Sequence, residues 1–233
     1  VEEDFIIAKS IIDRVFPKDF GIIDVGSHEG DFVSFVLGMG SRKNAIMIEP
    51  IPEKAEIIRN RFPSAKVFQC AISTEEKKSD MFVTPNFPKC SALYDRQAFN
   101  EIEILNQREK IEVSLRRLES ILDESEFDQS PSSSWYLKID TEGFELETFS
   151  SIGRYANHEK ILAGQFEYGG CWKERGIKIS DMLQLLETSG FIAYRALIRE
   201  NSLYFLKVEN KDDDYEHTNI YFMRKNLVED QRN

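Results

Sequence analysis

The sequence predicts an α/β fold, a mostly parallel sheet with an antiparallel edge and helices on both faces. Three observations predict it. Residues 21–30, Gly-Ile-Ile-Asp-Val-Gly-Ser-His-Glu-Gly, run from an apolar stretch through a glycine-bounded turn into a helical apolar pattern of Phe32, Val33, Phe35 and Val36. Apolar runs of strand length then alternate with helical segments along most of the chain. The end of the chain is a succession of strand-like runs, with Tyr204, Phe205, Tyr221 and Phe222 suited to a strand pair. At 233 residues, with 41% hydrophobic and 12% aromatic content, the chain has the material for a sizeable core.

The elements follow in order. Residues 5–16 place Phe5, Ile6, Ile11, Ile12, Val15 and Phe16 at helical spacing, and Pro17 ends the run. The first strand is 21–25, and its helix covers 31–39 with Gly38 and Gly40 at the end. The second strand is 45–49. Pro50 breaks it, and Pro52 suits the first turn of a helix that runs to 62 and stops at Pro63. The third strand is 66–71, followed by a short extra strand at 80–84. A loop at 85–93 and a polar stretch of helical character at 94–108 come next, and 85–110 reads as a lid carrying Cys90 and Ser91 toward the cofactor. Residues 113–118 form a strand, a short helix reaches Asp123, and the serine- and acid-rich 125–134 is a loop.

The fourth strand is 135–140, then a turn at 141–143 and a helix over 145–152. The fifth strand, 161–168, stops at Gly169 and Gly170, and 171–178 reads as a polar loop. Ser180 is expected to cap a helix holding Met182, Leu183, Leu185 and Leu186, which Gly190 ends. Strands at 191–198, 203–208 and 219–224 close the chain, and the charge run at 211–214 reads as a solvated turn. The expected organisation is one domain over 1–233. Residues 1–19 are its N-terminal helix, 20–170 the cofactor-binding core, and 171–233 the last helix and strands.

Composition narrows the function. A net charge of −11 repels phosphate backbones and speaks against nucleic acid as partner. Cys70, Cys90 and Cys171 lie far apart, form no C-x-x-C and are odd in number, which fits reduced thiols in a cytoplasmic setting. His28, His158 and His217 show no metal spacing, no apolar run approaches a membrane span, and no signal-peptide pattern opens the chain. The opening Val1 is read as a sign that the chain is part of a larger multidomain protein, in which a glycosyltransferase is the expected neighbour.

The first turn selects a ligand. Its glycines, Gly26 and Gly30, are spaced G-x-x-x-G. The other two positions of a dinucleotide fingerprint hold His28 and Asp31, and there is no P-loop. Asp24 at the strand end favours a cationic ligand over a pyrophosphate. Glu49, ending the second strand, can accept hydrogen bonds from two ribose hydroxyls. A phosphate-free cofactor with a ribose and a cationic amino-acid end is S-adenosylmethionine.

These residues are similar to the class I S-adenosylmethionine-dependent methyltransferases. The stretch Leu137-Lys138-Ile139-Asp140-Thr141-Glu142-Gly143-Phe144-Glu145 resembles the Lys-Ile-Asp-x-Glu-Gly-x-Glu signature of the FkbM-type methyltransferases, and Glu49-Pro50, Ala71-Ile72-Ser73 and Arg117-Leu118 sit at that family's other landmarks. The resemblance covers roughly residues 20–170. It implies a Rossmann-like seven-stranded sheet whose last strand is antiparallel. It also implies that Asp24, Gly26, Ser27 and Gly30 line the methionine end, that Glu49 with Pro50 holds the ribose, that Ile51 packs on adenine, and that Gln69, Cys70 and Ala71 border it. It implies O-methylation of a sugar, glycan or related small molecule. His28-Glu29 depart from the usual small or polar residues of the family.

A sugar or alcohol hydroxyl needs a base or a metal to become nucleophilic. Asp140 and Glu142 end the fourth strand and Glu167 nearly ends the fifth, so all three are candidate bases at the acceptor side, with His28 in the first loop a fourth. The same three acids could instead hold one divalent cation. Glu145 and Glu147 read as helix-start acids favoured by the dipole. Tyr168, Trp172 and Phe87 read as aromatics capping the core beside the cleft. Methylation of a protein or RNA group, or a non-catalytic cofactor-binding scaffold, are the alternative functions.

Overall fold

The computed structural model describes residues 2–38, 44–85, 90–96, 108–200, 202–210 and 213–229. Glu2–Val15 (α1) leads into Gly21–Val25 (β1), Asp31–Leu37 (α2), Ala45–Ile48 (β2), Pro52–Arg61 (α3) and Lys66–Phe68 (β3). Ala71–Ile72 (β4), Lys77–Val83 (β5) and Glu109–Arg116 (β6) follow, then Leu118–Glu124 (α4), Trp135–Ile139 (β7), Glu145–Ser150 (α5) and Ile161–Tyr168 (β8). Gly170–Glu174 (α6), Ile179–Thr188 (α7), Phe191–Arg199 (β9), Ser202–Lys207 (β10), Thr218–Arg224 (β11) and Lys225–Glu229 (α8) complete the chain.

The main sheet has eight strands in the order β10-β9-β11-β8-β7-β1-β2-β3. β3, β2, β1, β7 and β8 run parallel, and β11 lies antiparallel between β8 and β9. Seven of these strands match the implied plan. The eighth, β10, folds back on β9 as an outer hairpin through a turn in which Glu200 takes a φ of 48°. The core strands are buried on both faces, so β1, β2 and β7 read as apolar runs rather than alternating ones, broken only by Asp24 in β1 and Lys138 in β7. Successive residues still part to opposite sides: Ile22 belongs to the core cluster that includes Ile11 of α1, Phe32 of α2 and Ile58 of α3, whereas Ile23 belongs to the one that includes Ile121 of α4, Phe149 of α5 and Met182 of α7. Each such fully buried aliphatic side chain contributes ~2 kcal/mol.

Several sequence expectations shift. The strand read over 66–71 breaks after Phe68, because Ala71–Ile72 leaves β2 and pairs instead with Leu115 and Arg116 of β6. β5 begins at Lys77 and β6 at Glu109, earlier than their apolar residues announce, since charged residues occupy the exposed face of this small sheet. The polar loop at 171–178 contains α6, a helix too short to show a period, which buries Cys171 and Trp172. The last long helix starts at Ile179, so Ser180 is inside it and the capping residue is Lys178, whose N–H donates to Asp181. Tyr168 and Trp172 are core residues, packed ring to ring. Gly40, Phe87, residues 97–107 of the helical reading, the middle of the lid, and 211–212 of the charge run lie outside the described residues. Among the described residues no helix is long and apolar enough to cross a membrane.

Candidate functional site

The turn after β1 is clipped onto β2. The N–H groups of Gly26 and Ser27 both donate to the Ile48 carbonyl, at 3.0 and 3.1 Å. The Ser27 hydroxyl donates to the Asp24 carbonyl at 2.8 Å and accepts the Ile48 N–H at 3.2 Å. Gly26 has a φ of 79°, and a Cβ there would lie 1.8 Å from the Asp140 carbonyl oxygen. Glycine at this point lets the turns after β1 and β7 touch backbone to backbone. Gly30 has a φ of 80° and no room beside the Phe62 ring. It serves packing, and it does not line the cleft.

Glu49 closes the turn from the next strand. Its two carboxylate oxygens accept the His28 N–H at 2.8 Å and the Ile51 N–H at 2.9 Å. Burial pushes this carboxyl up to about 7, against the pull of those two backbone donors. Each oxygen keeps a lone pair for a further donor, and the side chain lines a cavity of about 250 Å³ at the carboxyl ends of the parallel strands.

That cavity brings most of the expected residues together. Gly26, Ser27, His28, Glu49, Pro50 and Ile51 line one side, with Cys70 and Ala71 beside them. Asp140, Glu142 and Glu167 line the other. Ser91 of the expected lid reaches the lining too. Gln69 does not: it is exposed and outside the lining. Asp24 is wholly buried behind the turn rather than at its surface.

Asp24 explains why Lys138 is there. The two residues are direct partners in the β1–β7 register. The Lys138 ammonium lies 3.2 Å from Asp24, 3.2 Å from Asp140 and 3.3 Å from the Gly26 carbonyl. Burial works against its charge, yet the carboxylates of Asp140 and Asp24 outweigh that and hold the ammonium above its ordinary range. Burial also raises the Asp24 carboxyl, with Lys138 opposing. The lysine thus joins the acid behind the β1 turn to an acid at the end of β7. The quoted sequence signature contained Lys138 without giving it a role. A lysine between the buried Leu137 and Ile139 of a central parallel strand was the signal for a buried ion pair.

Asp140, Glu142 and Glu167 converge, with one oxygen from each lying within 4.8 Å of the others. Glu142, at a φ of 53°, accepts the Arg96 guanidinium at 2.9 Å. Arg96 also holds Glu174, at 3.2 Å, and so ties the 90–96 segment to the site. Burial, with the charge of Asp140 adding to it, pushes Glu142 up to about 8. Burial and the neighbouring acids likewise hold Glu167 well above the usual carboxylate range. Its imidazole neighbour, His217, is 3.5 Å away and 74% exposed at the side chain.

Glu145 is more than a helix-start acid. Fully buried, it accepts the N–H groups of Thr141 and Gly143 at 2.8 and 3.1 Å and the Trp172 indole N–H at 2.8 Å. It therefore shapes the turn that presents Asp140 and Glu142.

The family model for the FkbM methyltransferase domain matches residues 24–214. Among solved structures, a methyltransferase FkbM from Methylobacillus flagellatus KT is similar at 14% identity and a TM-score of 0.44, covering 92% of this chain and 50% of that one. The chain thus spans half the length of that protein. A precorrin-6y C5,15-methyltransferase from Geobacter metallireducens GS-15 is similar at 10% identity and a TM-score of 0.47, covering 96% of this chain and 88% of that one. A TehB-like SAM-dependent methyltransferase from Corynebacterium glutamicum is similar at 13% identity and a TM-score of 0.45, covering 94% and 88%. No curated protein matches the chain.

Proposed function

The chain belongs to the FkbM methyltransferase domain family, and from that premise we propose that it is an S-adenosylmethionine-dependent O-methyltransferase acting on a hydroxyl of a sugar, glycan or related small molecule. One observation carries the reading. A single cavity joins Glu49, whose oxygens retain free lone pairs, to three carboxylates at the ends of β7 and β8. The donor set fits this cofactor: Glu49 would take the ribose hydroxyls, Ile51 and Ala71 would flank the adenine, and the acids around Gly26 favour a cationic amino-acid end. The same acids disfavour a pyrophosphate.

The cofactor supplies an electrophilic methyl group on a sulfonium. The protein's part is to align the hydroxyl, exclude water and take the proton. When bound, the cofactor would give this methyl up to the hydroxyl oxygen and leave as the thioether, while the hydroxyl proton would pass to a carboxylate of this chain. Glu142 suits this step, because a base titrating near the working pH balances availability against proton affinity. Asp140, held by Lys138, and Glu167 orient the acceptor. His28 lines the opposite side, where its N–H serves Glu49.

The test is product formation. The protein is incubated with S-adenosylmethionine and hydroxylated acceptors, and S-adenosylhomocysteine is measured. The ratio kcat/KM, which reports the free enzyme, should rise with pH through about 8 as Glu142 ionises. Glu142→Gln should lower kcat by about 100-fold or more, and an unchanged kcat would remove Glu142 as the base.

A further inference from the structure

Among the described residues, the side of the cleft formed by the β7 and β8 acids is short of positive charge. Asp24 and Asp140 share the one ammonium of Lys138, and Glu142 and Glu174 share the one guanidinium of Arg96. Four carboxylates thus lean on two permanent cations, and Glu167 adds a fifth whose neighbour is the exposed His217. Among the described residues the cavity lining holds no arginine and no lysine except Lys138. An anionic acceptor, such as a phosphorylated sugar, would find no cation in this lining beyond the already shared Lys138, and would hold the neighbouring carboxyls further toward their protonated forms.

The acids are close enough together to share one cation. Three acceptors around one tetrahedral ammonium, each at ordinary hydrogen-bond length, sit ~4.7 Å apart, and one oxygen from each of Asp140, Glu142 and Glu167 lies no more than 4.8 Å from the others. We propose that the acceptor is a hydroxylated amine, such as an amino sugar or aminocyclitol, whose ammonium sits among these three carboxylates while an adjacent hydroxyl faces the methyl group. The proposal rests on the methyltransferase reading and names its substrate class. It also joins binding to chemistry. Burial and mutual repulsion hold Glu142 and Glu167 toward their protonated forms. A bound ammonium reverses that preference, so the acceptor itself would ionise the base that takes its proton.

The test is calorimetry on the full chain saturated with S-adenosylhomocysteine, whose own binding heat is measured first. Two matched series are titrated in chelator-treated buffer: glucosamine, N-acetylglucosamine and glucuronate, then 2-deoxystreptamine, myo-inositol and an inositol phosphate. The amine of each series should bind about tenfold or more tighter than its neutral partner, and the anion should give no heat. In the Glu142→Gln/Glu167→Gln variant that preference should fall to about threefold or less, with S-adenosylhomocysteine still bound. A preference for neutral or anionic members, or no heat from either amine, overturns the proposal and leaves the cofactor reading standing. Magnesium binding that competes with the amines would give the seat to a metal and overturn it as well. Absence of the S-adenosylhomocysteine heat itself would instead remove the reading beneath it.

Discussion

Replacing Lys138 with methionine keeps the stem and deletes the charge. The side chain is 7% exposed and its partner Asp24 is wholly buried, so solvent cannot substitute for the lost ammonium. Breaking a buried pair by removing one partner costs about 3–5 kcal/mol. The second partner, Asp140, is 38% exposed at its side chain, so its share of the loss is ~1 kcal/mol or less. Asp24 can escape part of the penalty by taking up a proton. Burial already raises its carboxyl, and without Lys138 only the Ser27 hydroxyl is left to oppose that. A folded-state value above the unfolded one means the folded state binds more protons, so stability drains away as pH rises through that window. The variant should therefore lose less stability at pH 5 than at pH 8, by up to ~1.4 kcal/mol for each pH unit of the window crossed. Urea unfolding of wild type, Lys138→Met, Asp24→Asn and the double variant at both pH values measures this. Asp24→Asn should restore ~2 kcal/mol or more of what Lys138→Met loses at pH 8. A pH-independent loss under ~1 kcal/mol, with no coupling between the two changes, would refute the pairing argument.

The wild-type protein without ligand should show the same sign. Glu49 at about 7 and Glu142 at about 8 are both raised, so stability is fully present below the ordinary carboxylate range and is lost as pH climbs through 7 and 8. Unfolding measured from pH 5 to pH 9 should decline accordingly, and a rise would contradict the buried carboxyls. Gly26→Ala should cost ~3 kcal/mol or more, because the new Cβ would meet the Asp140 carbonyl at 1.8 Å; a fall in melting temperature of under a degree would count against that contact. Cys70 is buried with its thiol pushed up to about 12, and Cys171 is buried and shifted the same way. Native protein at pH 8 should therefore react with a disulfide reagent at Cys90 alone, with all three thiols reacting after denaturation. Rapid native labelling of Cys70 would show that the β3–β4 connection opens.

The main sheet was readable because its central strands are buried on both faces and mostly apolar, and the helices beside them carry one apolar face each. Gly26, Pro50, Pro52 and Gly190 punctuate them where the chain does turn. Elements decided by tertiary contact were not readable. The split of 66–72 between two sheets depends on β6, which lies far along the chain. The helix Gly170–Glu174 depends on burying Trp172 against Glu145. In the site, Glu49 and the acids of β7 and β8 could be picked out from their places at strand ends. The Lys138–Asp24 pair could not, because it exists only once β1 and β7 are known to be neighbours in this register. Gln69 and Gly30 adjoin the cleft in sequence, but the chain turns one outward and packs the other on Phe62.

The central claim is that the cleft between the β1 turn and the β7–β8 acids binds S-adenosylmethionine through Glu49. Calorimetric titration of the folded protein with S-adenosylhomocysteine tests it most directly, with NAD as the comparison and Glu49→Gln as the variant. The account predicts micromolar binding, no heat from NAD, and affinity at least about tenfold weaker in Glu49→Gln. A folded wild-type protein that binds neither ligand, or binds NAD as well as S-adenosylhomocysteine, would contradict it.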